Sequence, residues 1–337
     1  MKHLITGLLL AGFLLQPAFA QTAGEEPEEV VVRGVLPGPP LWRISNGEHV
    51  LWIFGYVSPI PKDMQWESAR VENVVSRAQA YLPVPDVDVS VSPLVALNPI
   101  NIFRGVRLAK RLSSNEDDKT LADVLPAELH QRYLAIKTRY FPRNNELDGQ
   151  RPLVAGQNLA ELVQDEEELG SPRDILRKID RLAKGQRGVK VINTDYSMRI
   201  SGGYRALADR AEALADGITL EKELECFEWH VGRIETDMEA MKSRANSWAL
   251  GYVDEFINAP LLRGDDDPCF NLMMASSETQ TITELIEKAD LEWLAAAEMA
   301  LAEYDTTLAV LHIRELLNEG GLLAKLKARG YSVREPN

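Results

Sequence analysis

Two apolar runs bracket a short polar step near the start of the chain. Leu41-Trp42-Arg43-Ile44-Ser45 and His49 to Phe54 flank Asn46-Gly47. An Asn-Gly pair between such runs predicts a tight hairpin, because both turn positions need positive φ. The second arm, Val50-Leu51-Trp52-Ile53-Phe54, is apolar at consecutive positions and reads as a central strand buried on both faces. It stops at Gly55. Asp63 is placed to cap a helix in which Val71, Val74, Val75, Ala78 and Leu82 recur at helical spacing. Val84 to Val91 alternates like a half-buried strand, with Pro83 and Pro85 making its start an edge or irregular stretch.

The middle of the chain keeps a helical period over roughly 94–112, 119–140, 153–168 and 172–184. Val189-Lys190-Val191-Ile192 predicts a short strand ending at Asn193. Long amphipathic helices return from Gly203 to about Ala259, the stretch 264–270 reads as a loop, and another helix is expected from Thr283 to Tyr304. Thr306 to Ile313 is a second all-apolar strand. Gly320 to Ala328 is a last helix with Gly330 at its C-cap, followed by a strand at Tyr331-Ser332-Val333. Strands separated by helices imply an α/β or α+β fold whose sheet carries a large helical insertion.

The first twenty residues carry a different signal. A basic start (Met1-Lys2-His3), an apolar run from Leu4 to Leu15 and Ala18-Phe19-Ala20 form the pattern of a secretory signal peptide cleaved after Ala20. The apolar run is too short to span a bilayer. Residues 21–39 are then an acidic, Pro/Gly-rich lead-in, and 40–337 a single domain. The expected location is periplasmic or secreted. In an oxidising compartment Cys226 and Cys269 are expected to form a disulfide, worth about 4 kcal/mol in the chain-entropy model. No ligand-spaced Cys or His is expected beside either, so no metal role is assigned to them.

Charge narrows the partners. The 337 residues hold 37 Lys+Arg against 51 Asp+Glu, a formal net charge of −14. Such a surface argues against nucleic acid, which needs concentrated Lys and Arg. An unknown small molecule or peptide remains, and Glu28 to Gly34, which resembles a segment near the mature start of TonB-dependent receptors, offers strand addition to an envelope protein.

Ligands of open α/β sheets gather beyond the carboxyl ends of the strands. Here those ends supply Ser58, then Asn193 and Asp195, then Arg314 and Glu315. The five histidines, at 3, 49, 130, 230 and 312, form no H-E-x-x-H or H-x-H pattern, and His312 inside an apolar strand reads as a core residue. There is no G-x-S-x-G elbow for Ser58 and no phosphate-cradling Gly-rich loop. The runs Asp165 to Glu168 and Asp265 to Asp267 read as solvated acidic surface.

Pro40 to Ser45 with Val50 to Gly55, and Leu308 to Val310 with Gly321 to Leu326 and Gly330 to Val333, resemble the opening and closing blocks of the TraB/GumN family. Thr120 to Pro126 and Ser247 to Gly251 sit between them in the expected order. The resemblance spans about 40–334 and implies a mixed β-sheet wrapped by helices. It also implies kinship with Tiki proteases, thought to be metal-dependent peptidases. The family's functional motifs are altered. G-T-x-H is Gly55-Tyr56-Val57-Ser58, Leu-Glu-Thr is Ile192-Asn193-Thr194, and Glu315 stands where the late histidine is expected. The acidic residue after the first helix can come only from Asp86 or Asp88. An oxygen-donor set of Ser, Asn and Glu would hold at most a hard, weakly bound cation, so no cofactor is expected. The expected function is that of an exported, non-catalytic binding or accessory factor on a metal-dependent hydrolase fold. Tyr56, Asp86, Asp195 and Arg314 are its candidate binding residues. The alternative is a hydrolase or peptidase with a rebuilt site at Ser58, Asn193 and Glu315.

Overall fold

The computed structural model describes residues 38–90, 99–199, 203–253, 267–274 and 279–336. The expected signal peptide, the lead-in and the Glu28 to Gly34 segment lie outside the described residues. Ten strands occur among those described: β1 (Leu41–Asn46), β2 (His49–Tyr56), β3 (Ile60–Pro61), β4 (Ala80–Leu82), β5 (Val87–Ser90), β6 (Leu169–Gly170), β7 (Lys190–Val191), β8 (Tyr196–Arg199), β9 (Thr306–His312) and β10 (Ser332–Arg334). The helices are α1 (Ala69–Arg77), α2 (Pro99–Ser113), α3 (Leu121–Val124), α4 (Ala127–Tyr140), α5 (Pro152–Glu166), α6 (Arg173–Gly185), α7 (Gly203–Gly217), α8 (Leu220–Thr236), α9 (Met238–Leu250), α10 (Pro268–Met274), α11 (Thr279–Glu303), α12 (Ile313–Leu317) and α13 (Leu322–Ala328).

Six strands form one mixed sheet in the order β10-β1-β2-β9-β4-β7. β10, β1 and β2 are antiparallel neighbours, whereas β2, β9, β4 and β7 run parallel. β2 therefore lies between two partners. Leu51, Ile53 and Phe54 are fully buried, as the run of apolar residues requires. β9 is sealed in the same way by Leu308, Ala309, Val310 and Leu311. Helices α2 to α11 enter the chain between β5 and β9. They are the large insertion, and the fold is the expected α/β class with a mixed sheet.

Several local details differ from the pattern-based reading. Asn46 pairs with His49, so the turn is Gly47-Glu48, and only Gly47 takes positive φ there. That arrangement needs glycine at the first central position alone. Asp63 does not cap α1, which starts at Ala69 after Ser68. Leu82 belongs to β4, because the chain leaves the helix at Ala78 and pairs with β9. The 119–140 helix is broken at Pro126, whose ring disfavours helical backbone at the preceding residue. β8 went unseen, and β5 pairs with it in a separate two-stranded sheet. Part of the expected 264–270 loop is helical, as Pro268 opens α10.

Two apolar cores result. The first surrounds the sheet and includes Trp42, Trp248, Trp293 and Leu301. The second lies among α3, α4, α5, α8 and α9 and includes Tyr133, Leu159, Phe227 and Met241. α9 joins them, with Met238 and Met241 in the helical core and Ala245, Trp248 and Ala249 in the sheet core. Trp248 then donates its indole Nε1–H to the Gly55 carbonyl at 2.7 Å, fixing the end of β2.

Candidate functional site at the sheet edge

Because β2, β9, β4 and β7 are parallel, their carboxyl ends share one edge of the sheet. Neighbouring strands stand about 4.8 Å apart, so Ser58 beyond β2 and Asn193 beyond β7 start from strands roughly 14 Å apart. The edge thus presents a row of groups rather than one point.

At the β2/β9 end, Tyr56 pairs with His312 in register. The two rings meet edge to face with centroids 5.1 Å apart. The Tyr56 hydroxyl is pushed upward by burial and by the nearby Glu315 carboxylate. Glu315, on α12, is itself held above the ordinary carboxylate range, mainly by burial and then by Asp290, against the opposing charges of Lys325 and Arg314. Asp290 is ion-paired with Lys325. Arg314 places its Nε in the interior without a hydrogen-bond partner. Tyr56, Arg314 and Glu315 are thus gathered at one end of the row.

His312 belongs to this group as well as to the buried interior in which the sequence placed it. Its ring is held neutral, with a pKa near 4, through burial and the neighbouring Arg314 charge. The Arg314 backbone N–H donates to His312 Nδ1 at 3.1 Å. The neutral ring therefore carries its proton on Nε2. The available signal was position: His312 is the last residue of an all-apolar parallel strand, where side chains meet ligands.

The other expected residues lie further along. Ser58 is exposed just past β2. Asn193, Asp195 and Asp86 form a turn of their own: the Asp195 N–H donates to Asn193 Oδ1 at 3.0 Å, and the Asp86 N–H donates to Asp195 Oδ1 at 3.1 Å. Among the described residues no hydrogen bond or ion pair joins Ser58 or Asn193 to Glu315. Between the two groups, a cleft of about 400 Å³ opens at the ends of β4 and β9, lined by Tyr81, Pro83, Val310, Arg173, Arg177 and Asp180 among others. Tyr81 is buried, and burial with the Asp180 carboxylate raises its pKa strongly. Sequence reading missed this cleft because Tyr81 and Asp180 sit in segments that carry no motif.

Cys226 and Cys269 are joined, with sulfurs 2.00 Å apart. The expectation that no histidine lies beside them needs correction. His230 is one helical turn from Cys226 on α8, and its Nε2 stands 3.4 Å from Cys269 Sγ. The Cys-x-x-x-His spacing was present in the sequence and places both side chains on one helix face.

A family model for TraB/PrgY/gumN proteins matches residues 40–335. The chain belongs to the TraB/PrgY/gumN family. No curated protein and no solved structure matches it. Among the described residues no helix is long and apolar enough to cross a membrane.

The hydrogen bonding at His312 differs from that of a metal-ligating imidazole. A ligating imidazole donates its other ring N–H to an acceptor. At His312 the relation is reversed: Nδ1 accepts, leaving Nε2 as a donor rather than a lone pair. Among the described residues, three His, Cys, Asp or Glu ligand atoms converge only at Cys226, His230 and Cys269.

Proposed function

We propose that this TraB/PrgY/gumN protein is exported and acts as a binding or accessory factor, having left metal-dependent hydrolysis behind. The observation that carries the reading is the His312 tautomer, because an imidazole whose Nδ1 accepts a backbone N–H cannot offer Nε2 to a metal without breaking that bond. Ser58 and the turn formed by Asn193 and Asp195 replace the groups that metal hydrolysis would use. The occupant would be a small molecule or peptide lying along the edge, within the range of a 400 Å³ cleft. Tyr56 offers an aromatic face, the Arg314 guanidinium pairs with an acidic group, and Asp86 and Asp195 border the far end.

A second reading, a hydrolase rebuilt around Glu315 with Ser58 and Asn193 orienting substrate, is favoured by one fact. Burial tunes Glu315 towards the range of a general acid or base. The test uses the mature protein with its disulfide intact, assayed for peptide cleavage with and without added zinc, manganese or cobalt. No metal-dependent cleavage is expected from the wild type, and Glu315→Ala should change nothing. Metal-dependent cleavage that disappears in Glu315→Ala would establish the second reading and overturn the first.

A further inference from the structure

Cys226, His230 and Cys269 bring three soft or borderline donors together where two helices meet. One ligand atom from each lies within 4.8 Å of the other two. Cys226 is fully buried on α8, and Cys269 comes from α10, which packs on α8; the disulfide itself brings the two sulfurs together. Gly156 on α5 makes room for the imidazole: a Cβ there would stand 3.0 Å from His230 Cδ2. The His230 Nε2 to Cys269 Sγ separation of 3.4 Å is close to the spacing of two ligands on one tetrahedral ion, since Zn–S and Zn–N bonds of about 2.3 and 2.1 Å place such atoms roughly 3.6 Å apart.

We propose that, once the Cys226–Cys269 disulfide is reduced, Cys226, Cys269 and His230 form a binding site for a thiophilic divalent cation such as zinc. The oxidised protein would have the site closed. The step balances simply. An external dithiol is oxidised to its disulfide and passes two electrons and two protons to the cystine, giving two thiols. The cation then binds both thiolates and releases those two protons, while His230 enters as the neutral imidazole that ligation needs. Two thiolates and one imidazole leave a fourth position for water, the ligand number of sites that exchange a ligand. Thiolate and imidazole together select zinc or cobalt over magnesium or calcium. The site would thus load its cation only under reducing conditions, so redox state decides occupancy.

The experiment is anaerobic titration of the mature protein with cobalt(II), before and after reduction, followed by displacement with zinc(II). After reduction, one equivalent of cobalt should produce a sulfur-to-cobalt charge-transfer band that zinc abolishes. The oxidised protein should produce none. His230→Gln, which leaves the disulfide intact, should weaken the reduced protein's affinity by roughly tenfold or more, given that even groups outside the ligand set cost that much. Circular dichroism of the reduced protein, recorded before metal is added, should show native helicity. The proposal is overturned if the reduced wild type gives no band, if His230→Gln binds as tightly as the wild type, or if the band appears only in protein that has lost its helicity. None of these outcomes bears on cleavage by the oxidised protein, so this site and the sheet edge are tested separately.

Discussion

Gly55→Ala probes the end of β2, where the sheet, α9 and the candidate site meet. A Cβ at position 55 would stand 2.4 Å from Trp42 Cζ3 and 2.8 Å from Leu316 Cδ1, well inside the 3.5–4.0 Å optimum for carbon atoms. Neither neighbour can swing aside, since Trp42 is 1% and Leu316 4% exposed. The backbone is pinned as well. The Gly55 carbonyl accepts the Trp248 indole N–H, and β1 and β9 pair with β2 on either side. Overpacking of this kind costs about 1–3 kcal/mol. The added methyl restricts the unfolded chain and returns about 0.4–1 kcal/mol. A net loss of about 1–2 kcal/mol remains, which at a urea slope near 3 kcal/mol per M lowers the unfolding midpoint by roughly 0.5 M. Tryptophan fluorescence during urea unfolding is the assay, because Trp42 and Trp248 border the site of change. Gly185→Ala, where nothing lies within 4 Å of the new Cβ, is the control and should hold or raise the midpoint. Equal midpoints for the two variants would show that β2 is not packed as described.

Three further outcomes are expected. Glu223 is 2% exposed and accepts the Arg151 Nε–H at 2.9 Å, so Glu223→Ala should cost about 3–5 kcal/mol by leaving a mostly buried guanidinium charge without its carboxylate. The double change Arg151→Met with Glu223→Leu should recover most of that loss in the same unfolding assay, and equal losses would refute the pairing argument. His230 and His312 both have folded pKa values near 4, below the ordinary 6.5, so the folded protein disfavours their protonation. The stability this contributes is fully present above pH 6.5, falls as the pH drops towards 4 and levels off below, by up to about 3 kcal/mol per histidine. Unfolding midpoints at pH 7 and 5 should therefore differ less in His312→Gln than in the wild type, and an unchanged difference would contradict the burial of that ring. Trp248→Phe should cost about 1–3 kcal/mol by leaving the Gly55 carbonyl buried and unpaired, measured by thermal unfolding, and a loss below about 0.5 kcal/mol would mean that water reaches it.

Much of the fold was legible because hydrophobic pattern is a local property of the chain. The all-apolar runs at Val50 to Phe54 and Thr306 to Ile313 announced two strands buried on both faces, and they are the central parallel pair. The helices around 99–113, 152–166 and 173–185 followed from their period, with boundaries off by a few residues. The weaker elements were not legible. β4 is only three residues long and exists because β9 offers it a partner, so Leu82 was absorbed into the preceding helical pattern. β8 is also short, and pairing with β5 rather than propensity makes it a strand, whereas β7 is the strand expected at Val189 to Ile192.

The candidate site divides along the same line. That Ser58, Asn193, Arg314 and Glu315 stand at the carboxyl ends of parallel strands followed from the sequence alone. Which of these side chains share an environment did not, because Tyr56 and Glu315 are brought together only by the β2/β9 register across some two hundred and fifty residues. His312 looked like core for the same reason: its apolar neighbours were visible, but the Arg314 N–H that fixes its tautomer belongs to a turn that only the folded chain makes. His230 beside the cysteines could have been found in the sequence, since it stands one helical turn from Cys226 and the disulfide to Cys269 was expected. Sequence by itself determined what each segment prefers to be, and tertiary structure decided which distant segments meet. Proton positions, burial and ligand geometry depend on distances between residues remote in the chain, which no local pattern encodes.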